Sequence, residues 1–75
     1  MNYDLDTEEG MRNAMIWTLG HIRQLRNGGV WLLPRSGTAV QLNKIARHAT
    51  ITPGYKPDPS IARVFEAMGW TVIEK

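Results

Sequence analysis

One stretch decides the fold of this chain: Gly28-Gly29-Val30-Trp31-Leu32-Leu33-Pro34-Arg35-Ser36-Gly37. The two leading glycines accept the positive φ angles that commonly end a helix. The apolar residues that follow predict a short strand, and the Ser36-Gly37 pair predicts a tight turn. The stretch therefore predicts a helix before residue 28 and a β-hairpin after it, and it contains no group typical of catalysis.

A two-residue turn at Ser36-Gly37 also predicts the register of the hairpin. The expected pairs are Arg35 with Thr38, Leu33 with Val40, and Trp31 with Leu42. Because side chains alternate across a strand, the last two pairs form one apolar face. Pro34 has no backbone N–H, so we expect the first strand at an edge of the sheet, where a partner could add a strand.

A long amphipathic helix is predicted upstream of the glycines. We expect it to begin near Asp6 or Thr7, with Asp6 as the N-cap and the carboxylates of Glu8 and Glu9 in the first turn. Its apolar face follows helical spacing. This face consists of Met11, Ala14, Met15, Thr18, Leu19, Ile22 and Leu25. Asn27-Gly28-Gly29 is expected to end the helix.

Residues 43–52 fit two patterns. Leu42, Ile45, Ala46 and Ala49 have helical spacing, whereas Ile45, Arg47, Ala49 and Ile51 alternate as in a strand. The β-branched run at residues 50–52 favours a strand. A helix here would instead resemble a helix-turn-helix arrangement, so the choice affects the functional interpretation.

The C-terminal part predicts a second helix and a final strand. Asp58 followed by Pro59 is typical of a helix start. Gly69 is expected to end this helix, with Trp70 folding back onto Phe65 as the apolar contact of a Schellman motif. Residues 70–73 then predict a short strand.

These elements predict an α+β fold: a long N-terminal helix packed on a small, mostly antiparallel sheet, a short second helix and a C-terminal strand. The sheet comprises the hairpin and a third strand. We expect one domain over residues 1–75, with residues 1–6 as a loose acidic segment. The expected core comprises Met11, Met15, Leu19, Ile22, Leu25, Leu33, Val40, Leu42, Ile61, Phe65, Met68 and Val72.

The charge of the chain is unevenly distributed. The net charge is +2, but residues 11–75 carry all nine Lys and Arg and only three of the seven acidic residues, a net charge of +6. Such a body suits nucleic acid or an acidic protein surface, or simply a solvated basic surface. The absence of cysteine excludes disulfides and thiol catalysis and fits a reducing compartment. The acidic N-terminus does not resemble a secretory signal.

Three segments together resemble short, poorly characterised proteins of tailed bacteriophages and prophages. They are Gly28-Gly29-Val30-Trp31 running into Pro34-Arg35-Ser36-Gly37, then Pro57-Asp58-Pro59-Ser60-Ile61, then Arg63-Val64-Phe65-Glu66-Ala67-Met68-Gly69-Trp70-Thr71-Val72. The resemblance covers roughly residues 28–73. It implies a phage or prophage accessory protein in the cytoplasm of a bacterial host, and it supports a strand in the middle segment. It identifies no activity and no site residues.

No set of residues predicts catalysis. The histidines are His21 and His48 and the serines are Ser36 and Ser60, and their spacing suggests no catalytic triad. No phosphate-binding glycine motif occurs, and two histidines without cysteine make a poor metal site. We therefore expect a protein that is not an enzyme and that uses no metal and no cofactor.

Two binding functions remain, and neither involves a membrane. The first is an interaction with a bacterial host protein, because Trp and Arg are enriched among residues that dominate interfaces. The expected contacts are Trp17, Trp31, Arg35 and Tyr55. The alternative is nucleic-acid binding through phosphate contacts. Its candidate residues are Arg12, Arg23, Arg26, Lys44 and Arg47. A further alternative is a virion-associated structural subunit, for which self-association would be the sign.

Overall fold

The computed structural model describes residues 3–75, which form two helices and four strands. The elements are α1 (Glu8–Gln24), β1 (Val30–Leu33), β2 (Thr38–Asn43), β3 (His48–Thr52), α2 (Ser60–Ala67) and β4 (Thr71–Glu74). The strands form one sheet in the order β1-β2-β3-β4. β2 is antiparallel to both neighbours, and β4 is parallel to β3. The predicted α+β fold is confirmed, including the mostly antiparallel sheet, the third strand and the C-terminal strand.

Both helices contribute to a core that lies against one face of the sheet, which we call the inner face. Ile22 of α1 and Ile61 and Phe65 of α2 join the inner-face strand residues in one buried cluster. The strand members of that cluster are Trp31, Val40, Leu42, Ala49 and Ile51. In the part of the chain that the structure describes, neither helix has the length and apolarity needed to cross a bilayer.

Most of the predicted core is confirmed, but α1 is turned slightly from the expected orientation. Its fully buried row is Ala14, Thr18 and Ile22, while Leu19 is exposed and its prediction is wrong. Small side chains in this row suit the close contact that α1 makes with α2. The Thr18 hydroxyl donates to the Ala14 carbonyl at 2.8 Å, so its burial leaves no unsatisfied polar group.

The N-cap of α1 is Thr7, and the prediction of Asp6 is wrong by one residue. The Thr7 hydroxyl oxygen accepts a hydrogen bond from Gly10 N–H at 3.1 Å. Asp6 is used elsewhere, because its carboxylate accepts a hydrogen bond from Arg63 of α2 at 3.1 Å. The predicted loose segment at residues 1–6 includes residues 1 and 2, which lie outside the described residues.

The predicted helix stop at the two glycines is also wrong. α1 ends at Gln24 because the backbone at Leu25 is extended. The glycines instead begin the sheet pairing: Gly28 N–H donates to the Leu42 carbonyl at 2.7 Å, and Leu42 N–H donates to the Gly29 carbonyl at 3.0 Å. Gly28 N–H and the Gly29 carbonyl are therefore engaged with β2, while Gly29 N–H donates to the Arg26 carbonyl at 2.8 Å in the segment after α1.

The register of the hairpin differs from the prediction by two residues. Leu33 pairs with Thr38 and Trp31 pairs with Val40, so residues 34–37 form a four-residue loop. A shift of two residues keeps every side chain on its predicted face, because the period of a strand is two. The expected edge position of β1 is confirmed, although Pro34 lies in the loop and not in the strand.

The strand favoured for the middle segment is confirmed as β3, and the helix alternative is wrong. Ala49 and Ile51 point to the inner face, whereas Ile45 and Arg47 lie in a second four-residue loop, residues 44–47. This loop connects Asn43 of β2 to β3.

The predicted second helix, its Schellman motif and the final strand are confirmed, but α2 begins at Ser60 with Pro59, and not Asp58, as its N-cap, and β4 begins at Thr71 and not at Trp70. Asp58 Oδ1 accepts Ser60 N–H at 3.1 Å, and Pro59 already has helical backbone angles. At the other end of α2, Trp70 N–H donates to the Phe65 carbonyl at 3.0 Å, and Gly69 N–H donates to Glu66. These two bonds define the predicted Schellman motif. The Trp70 ring packs edge-on against Phe65, with 5.2 Å between centroids.

Candidate binding groove

Three of the four predicted protein-contact residues line one open groove beside edge strand β1. Trp17 comes from α1, Trp31 from β1 and Arg35 from the loop at residues 34–37. The groove has a volume of about 590 Å³, and we call it the aromatic groove. Its remaining lining residues are Tyr3, His21, Leu32, Leu33, Pro34 and Asp58.

Three stacked and tilted rings form one wall of the aromatic groove. The His21 ring stacks on Trp31 at 4.7 Å with an interplanar angle of 12°. Trp17 lies 4.4 Å from His21 and 5.1 Å from Trp31, tilted against both. Trp31 is only 8% exposed, so it anchors the other two rings to the core. The mutual packing restricts all three rings before any partner arrives.

His21 belongs to this site, although the sequence did not single it out as a contact. Its Nδ1 lies 2.9 Å from the Trp17 carbonyl oxygen. A carbonyl only accepts hydrogen bonds, so Nδ1 is the donor in this contact, and Nε2 is the ring nitrogen that can accept a hydrogen bond when it carries no proton. The spacing of four residues between Trp17 and His21 places them on one side of a helix and was the available signal.

The fourth predicted contact, Tyr55, supports the groove without lining it. The Tyr55 residue is 76% exposed, yet its hydroxyl lies 2.7 Å from the Pro34 carbonyl and 2.8 Å from the Arg35 carbonyl. One hydroxyl proton serves both acceptors. Lys56 N–H adds a bond to the Ser36 carbonyl at 3.2 Å. The segment after β3 thus holds the loop that carries Arg35.

Close packing beneath the same loop leaves it little freedom. Ser36 is buried, and its hydroxyl shares a 2.7 Å hydrogen bond with the Thr38 hydroxyl. Gly37 has a φ of +73°, and a Cβ there would meet the Tyr55 ring at 2.7 Å. Gly54 lies so close to the backbone of Ser36 and Gly37 that any Cβ would overlap it. Arg35 therefore projects from a well-supported backbone.

The backbone of β1 also offers groups for pairing. Hydrogen-bonded and non-hydrogen-bonded pairs alternate in an antiparallel ladder. Because Leu42 N–H bonds to the Gly29 carbonyl, this alternation directs the backbone N–H and C=O groups of Trp31 and Leu33 toward β2. Val30 and Leu32 therefore direct their N–H and C=O groups to the open edge, beside the aromatic groove.

The charges in the aromatic groove are of both signs. Arg35 contributes a guanidinium and Asp58 a carboxylate, and Asp58 also accepts the Ser60 N–H at the start of α2. Apolar ring surface, an acceptor nitrogen and two opposite charges suit recognition of a polypeptide. Within residues 3–75, no three acidic or histidine side chains gather as a metal ion would require.

The nucleic-acid candidates lie mostly at the opposite end of the sheet. Asn27 Oδ1 accepts Lys44 N–H at 2.6 Å, which joins the segment after α1 to the loop at residues 44–47. Arg26, Lys44 and Arg47 therefore share one end of the molecule, which we call the basic end, and Arg23 lies in the last turn of α1. Arg12 is not among them and pairs with Glu8 at 3.4 Å, one turn along the exposed side of α1.

Comparison with protein-family models, with curated proteins and with solved structures found no match to this chain. The resemblance to phage and prophage proteins stays a prediction.

Proposed function

We propose that this chain is a small, non-catalytic accessory protein of a phage or prophage that binds a bacterial host protein through the aromatic groove. The observation that supports this function is the convergence of Trp17 of α1 with Trp31 of β1 and Arg35 of the following loop in one groove. Trp and Arg are the residue types most enriched among energetic hot spots. Sequence resemblance supports the phage connection, and the geometry of the groove supports its use as a binding surface.

The ring contacts and hydrogen bonds that hold the groove residues in place favour binding. A partner that meets rigid groups loses less conformational entropy on association than one that must order them. The rings of Trp17, His21 and Trp31 are mutually packed, and the loop carrying Arg35 is hydrogen-bonded to Tyr55. Rigid aromatic area beside a guanidinium on a hydrogen-bonded loop is the arrangement expected of a contact surface.

Strand addition is the binding mode that fits the edge of β1. Val30 and Leu32 supply two N–H and two C=O groups, enough for a short extended segment of the partner. Backbone pairing would provide affinity, and side chains of that segment entering the aromatic groove would provide specificity. Residues of β1 are therefore expected to be protected from amide exchange in the complex.

The test compares two loop arginines, Arg35 in the aromatic groove and Arg47 at the basic end. The wild-type chain, Arg35→Ala and Arg47→Ala are immobilised and exposed to nuclease-treated bacterial lysate, and bound proteins are quantified by mass spectrometry. We expect one host protein to bind the wild type and Arg47→Ala and to be reduced at least about tenfold by Arg35→Ala. Circular dichroism of each variant establishes that its fold is intact.

Equal capture by all three chains would remove the aromatic groove from the proposed function. Capture that occurs from untreated lysate but is lost from nuclease-treated lysate would show that nucleic acid, and not the groove, brings the host protein to the chain. A Leu32→Pro variant sharpens the result, because it deletes an edge N–H without touching Arg35.

Nucleic-acid binding is the second candidate, favoured by the 2.6 Å bond that joins Asn27 to Lys44 and so gathers basic residues at one end. The rings available for base stacking lie in the aromatic groove near the other end, which separates stacking from phosphate contacts. Anisotropy of labelled duplex and single-stranded oligonucleotides at low and physiological salt tests this candidate. A steep loss of binding with salt, weakened by Arg47→Ala and not by Arg35→Ala, would favour it over host-protein binding.

A further inference from the structure

The sheet has a second face, the outer face, that neither helix covers. Alternation from the buried strand residues assigns ten side chains to it. They are Val30, Leu32, Ala39, Gln41, Asn43, His48, Thr50, Thr52, Thr71 and Ile73. None of them is Lys, Arg, Asp or Glu, although the chain carries sixteen such residues. The only one in any described strand is Glu74, which pairs with Ile51 and so points to the inner side.

The absence of charge on the outer face points to an interface. Charged residues are depleted at the centre of protein interfaces and enriched on solvated surfaces. An open sheet face that stays in water normally carries polar residues, charged ones included. Here the exposed residues include Val30 at 57%, Leu32 at 61% and Ile73 at 43% exposure.

The arrangement of these residues across the sheet is regular. One row crosses all four strands, with Val30 opposite Gln41, Gln41 opposite Thr50 and Thr50 opposite Ile73. In this row, apolar side chains thus occupy the two edge strands, and uncharged polar side chains occupy the two central strands. Leu32 extends the apolar margin on β1.

We propose that the outer face packs against the outer face of a second copy of this chain. A twofold axis parallel to the strands places β1 of each copy over β4 of the other. Val30 and Leu32 of one copy then contact Ile73 of its partner, and this contact occurs twice. The central strands meet each other, and their amide and hydroxyl groups can satisfy one another because each both donates and accepts.

Charge favours a second copy over a different partner. Two molecules of net charge +2 repel unless their basic residues stay apart, and every Lys and Arg lies off the outer face. A strongly charged partner would find no complementary charge there. A standard interface buries about 800 Å² per partner, roughly a sixth of the 4972 Å² surface, which one broad face of a two-layer molecule can supply.

The test is sedimentation velocity from micromolar to millimolar protein, with variants that place a charge at the centre of the outer face. We expect the wild type to dimerise, and Gln41→Lys and Thr50→Lys each to raise the dissociation constant of the dimer by about 100-fold or more, since each would bury an unpaired charge at the centre of the interface. Ile45→Lys is the matched control, because Ile45 is an apolar residue, 87% exposed, in the loop at residues 44–47. It is expected to dimerise as the wild type does.

A wild type that remains monomeric at millimolar concentration would overturn the proposal. So would a dimer that survives both lysine variants unchanged, because that dimer would use another surface, such as the edge of β1. Circular dichroism of each variant separates lost association from lost folding. Arg35→Ala is expected to leave the dimer intact, so failure of host-protein capture and failure of self-association are independent results.

Discussion

Two loops of equal length flank β2, and each contains one residue with a positive φ angle, but the residue type at that position differs. Residues 34–37 connect the Leu33–Thr38 pair, and residues 44–47 connect the Asn43–His48 pair. The fourth residue of each loop has a positive φ, +73° at Gly37 and +55° at Arg47. That conformation costs an L-residue about 1–2 kcal/mol, and glycine avoids this cost.

The surroundings of the two loops explain the difference. Residues 34–37 lie under the Tyr55 ring and against Gly54, where no side chain fits at position 37. Residues 44–47 are held at their ends by two hydrogen bonds, from Lys44 N–H to the side-chain Oδ1 of Asn27 and from Thr71 N–H to the Arg47 carbonyl. Only the first loop borders the aromatic groove. Glycine is therefore required where tertiary packing, and not loop geometry alone, excludes a side chain.

Among the variants that compare the two loops, Gly54→Ala is expected to have the largest effect on the free energy of unfolding. Its Cβ would overlap the Ser36 carbonyl and the backbone of Gly37, so we expect the free energy of unfolding to fall by about 3 kcal/mol. Urea denaturation monitored by circular dichroism measures it. The control is Gly20→Ala, where nothing lies within 4 Å and helix propensity predicts a gain of about 1 kcal/mol. Equal stability of the wild type and Gly54→Ala would show that the loop is not packed as described.

Gly37→Ala is expected to lower the free energy of unfolding by about 2 kcal/mol, because the positive φ and the Tyr55 ring both oppose a Cβ. The ring is exposed and can move, so the loss is smaller than at Gly54. Gly28→Ala isolates the backbone contribution, since Gly28 has a φ of +82° and no atom within 4 Å of a Cβ. If both variants lost the same free energy, Tyr55 would not restrict position 37.

Ser36→Ala tests the buried hydroxyl pair of the first loop. It leaves the Thr38 hydroxyl and N–H without their bonds to Ser36 Oγ, and we expect a loss of about 1.5 kcal/mol in unfolding free energy. The corresponding third position of the second loop is Ala46, which is exposed. Ala46→Ser should change stability by less than about 0.5 kcal/mol. Similar losses of unfolding free energy at both positions would show that the buried hydroxyl pair does not distinguish the two loops.

Arg47→Gly is expected to have the smallest effect and the opposite sign. Glycine relieves the positive φ at the expense of greater freedom in the unfolded chain, and we expect a net gain of about 0.5 kcal/mol in unfolding free energy. Arg47→Ala provides the control, because alanine has the same backbone restriction and removes the same charge. A gain in both variants would assign the effect to charge and not to φ.

Local interactions explain which parts of the fold the sequence predicted well. The Schellman motif at Gly69 and the hydrogen bond from Ser60 N–H to Asp58 at the start of α2 involve residues within a few positions of each other. The inner face of the hairpin was also predictable, because an error of two residues in register preserves the alternation. The register itself was not, since two-residue and four-residue loops both fit the Pro34-to-Gly37 segment by pattern alone.

The candidate site depended more on tertiary contacts. Helical spacing placed Trp17 and His21 together, and strand alternation placed Trp31 on the inner face. Their assembly into one aromatic wall required α1 to pack beside β1, and the support of Arg35 by Tyr55 spans 20 residues. No periodicity encodes contacts at such separations, so Tyr55 was predicted as a contact residue without its hydrogen bonds to the loop at residues 34–37.

Sequence patterns were enough to predict the order of the helices and strands and the inward side of each strand, because caps, turns and periodicity act over a few residues. The face and the end of α1 were not predicted correctly, since Leu19 is exposed and the helix ends at Gln24. The tertiary structure alone decided the register of β1 and β2, the choice of Thr7 over Asp6 as a cap, and the two separate surfaces at the aromatic groove and the outer face. Those features depend on which groups distant segments bring within hydrogen-bonding or van der Waals distance, and that is settled only when the whole core packs.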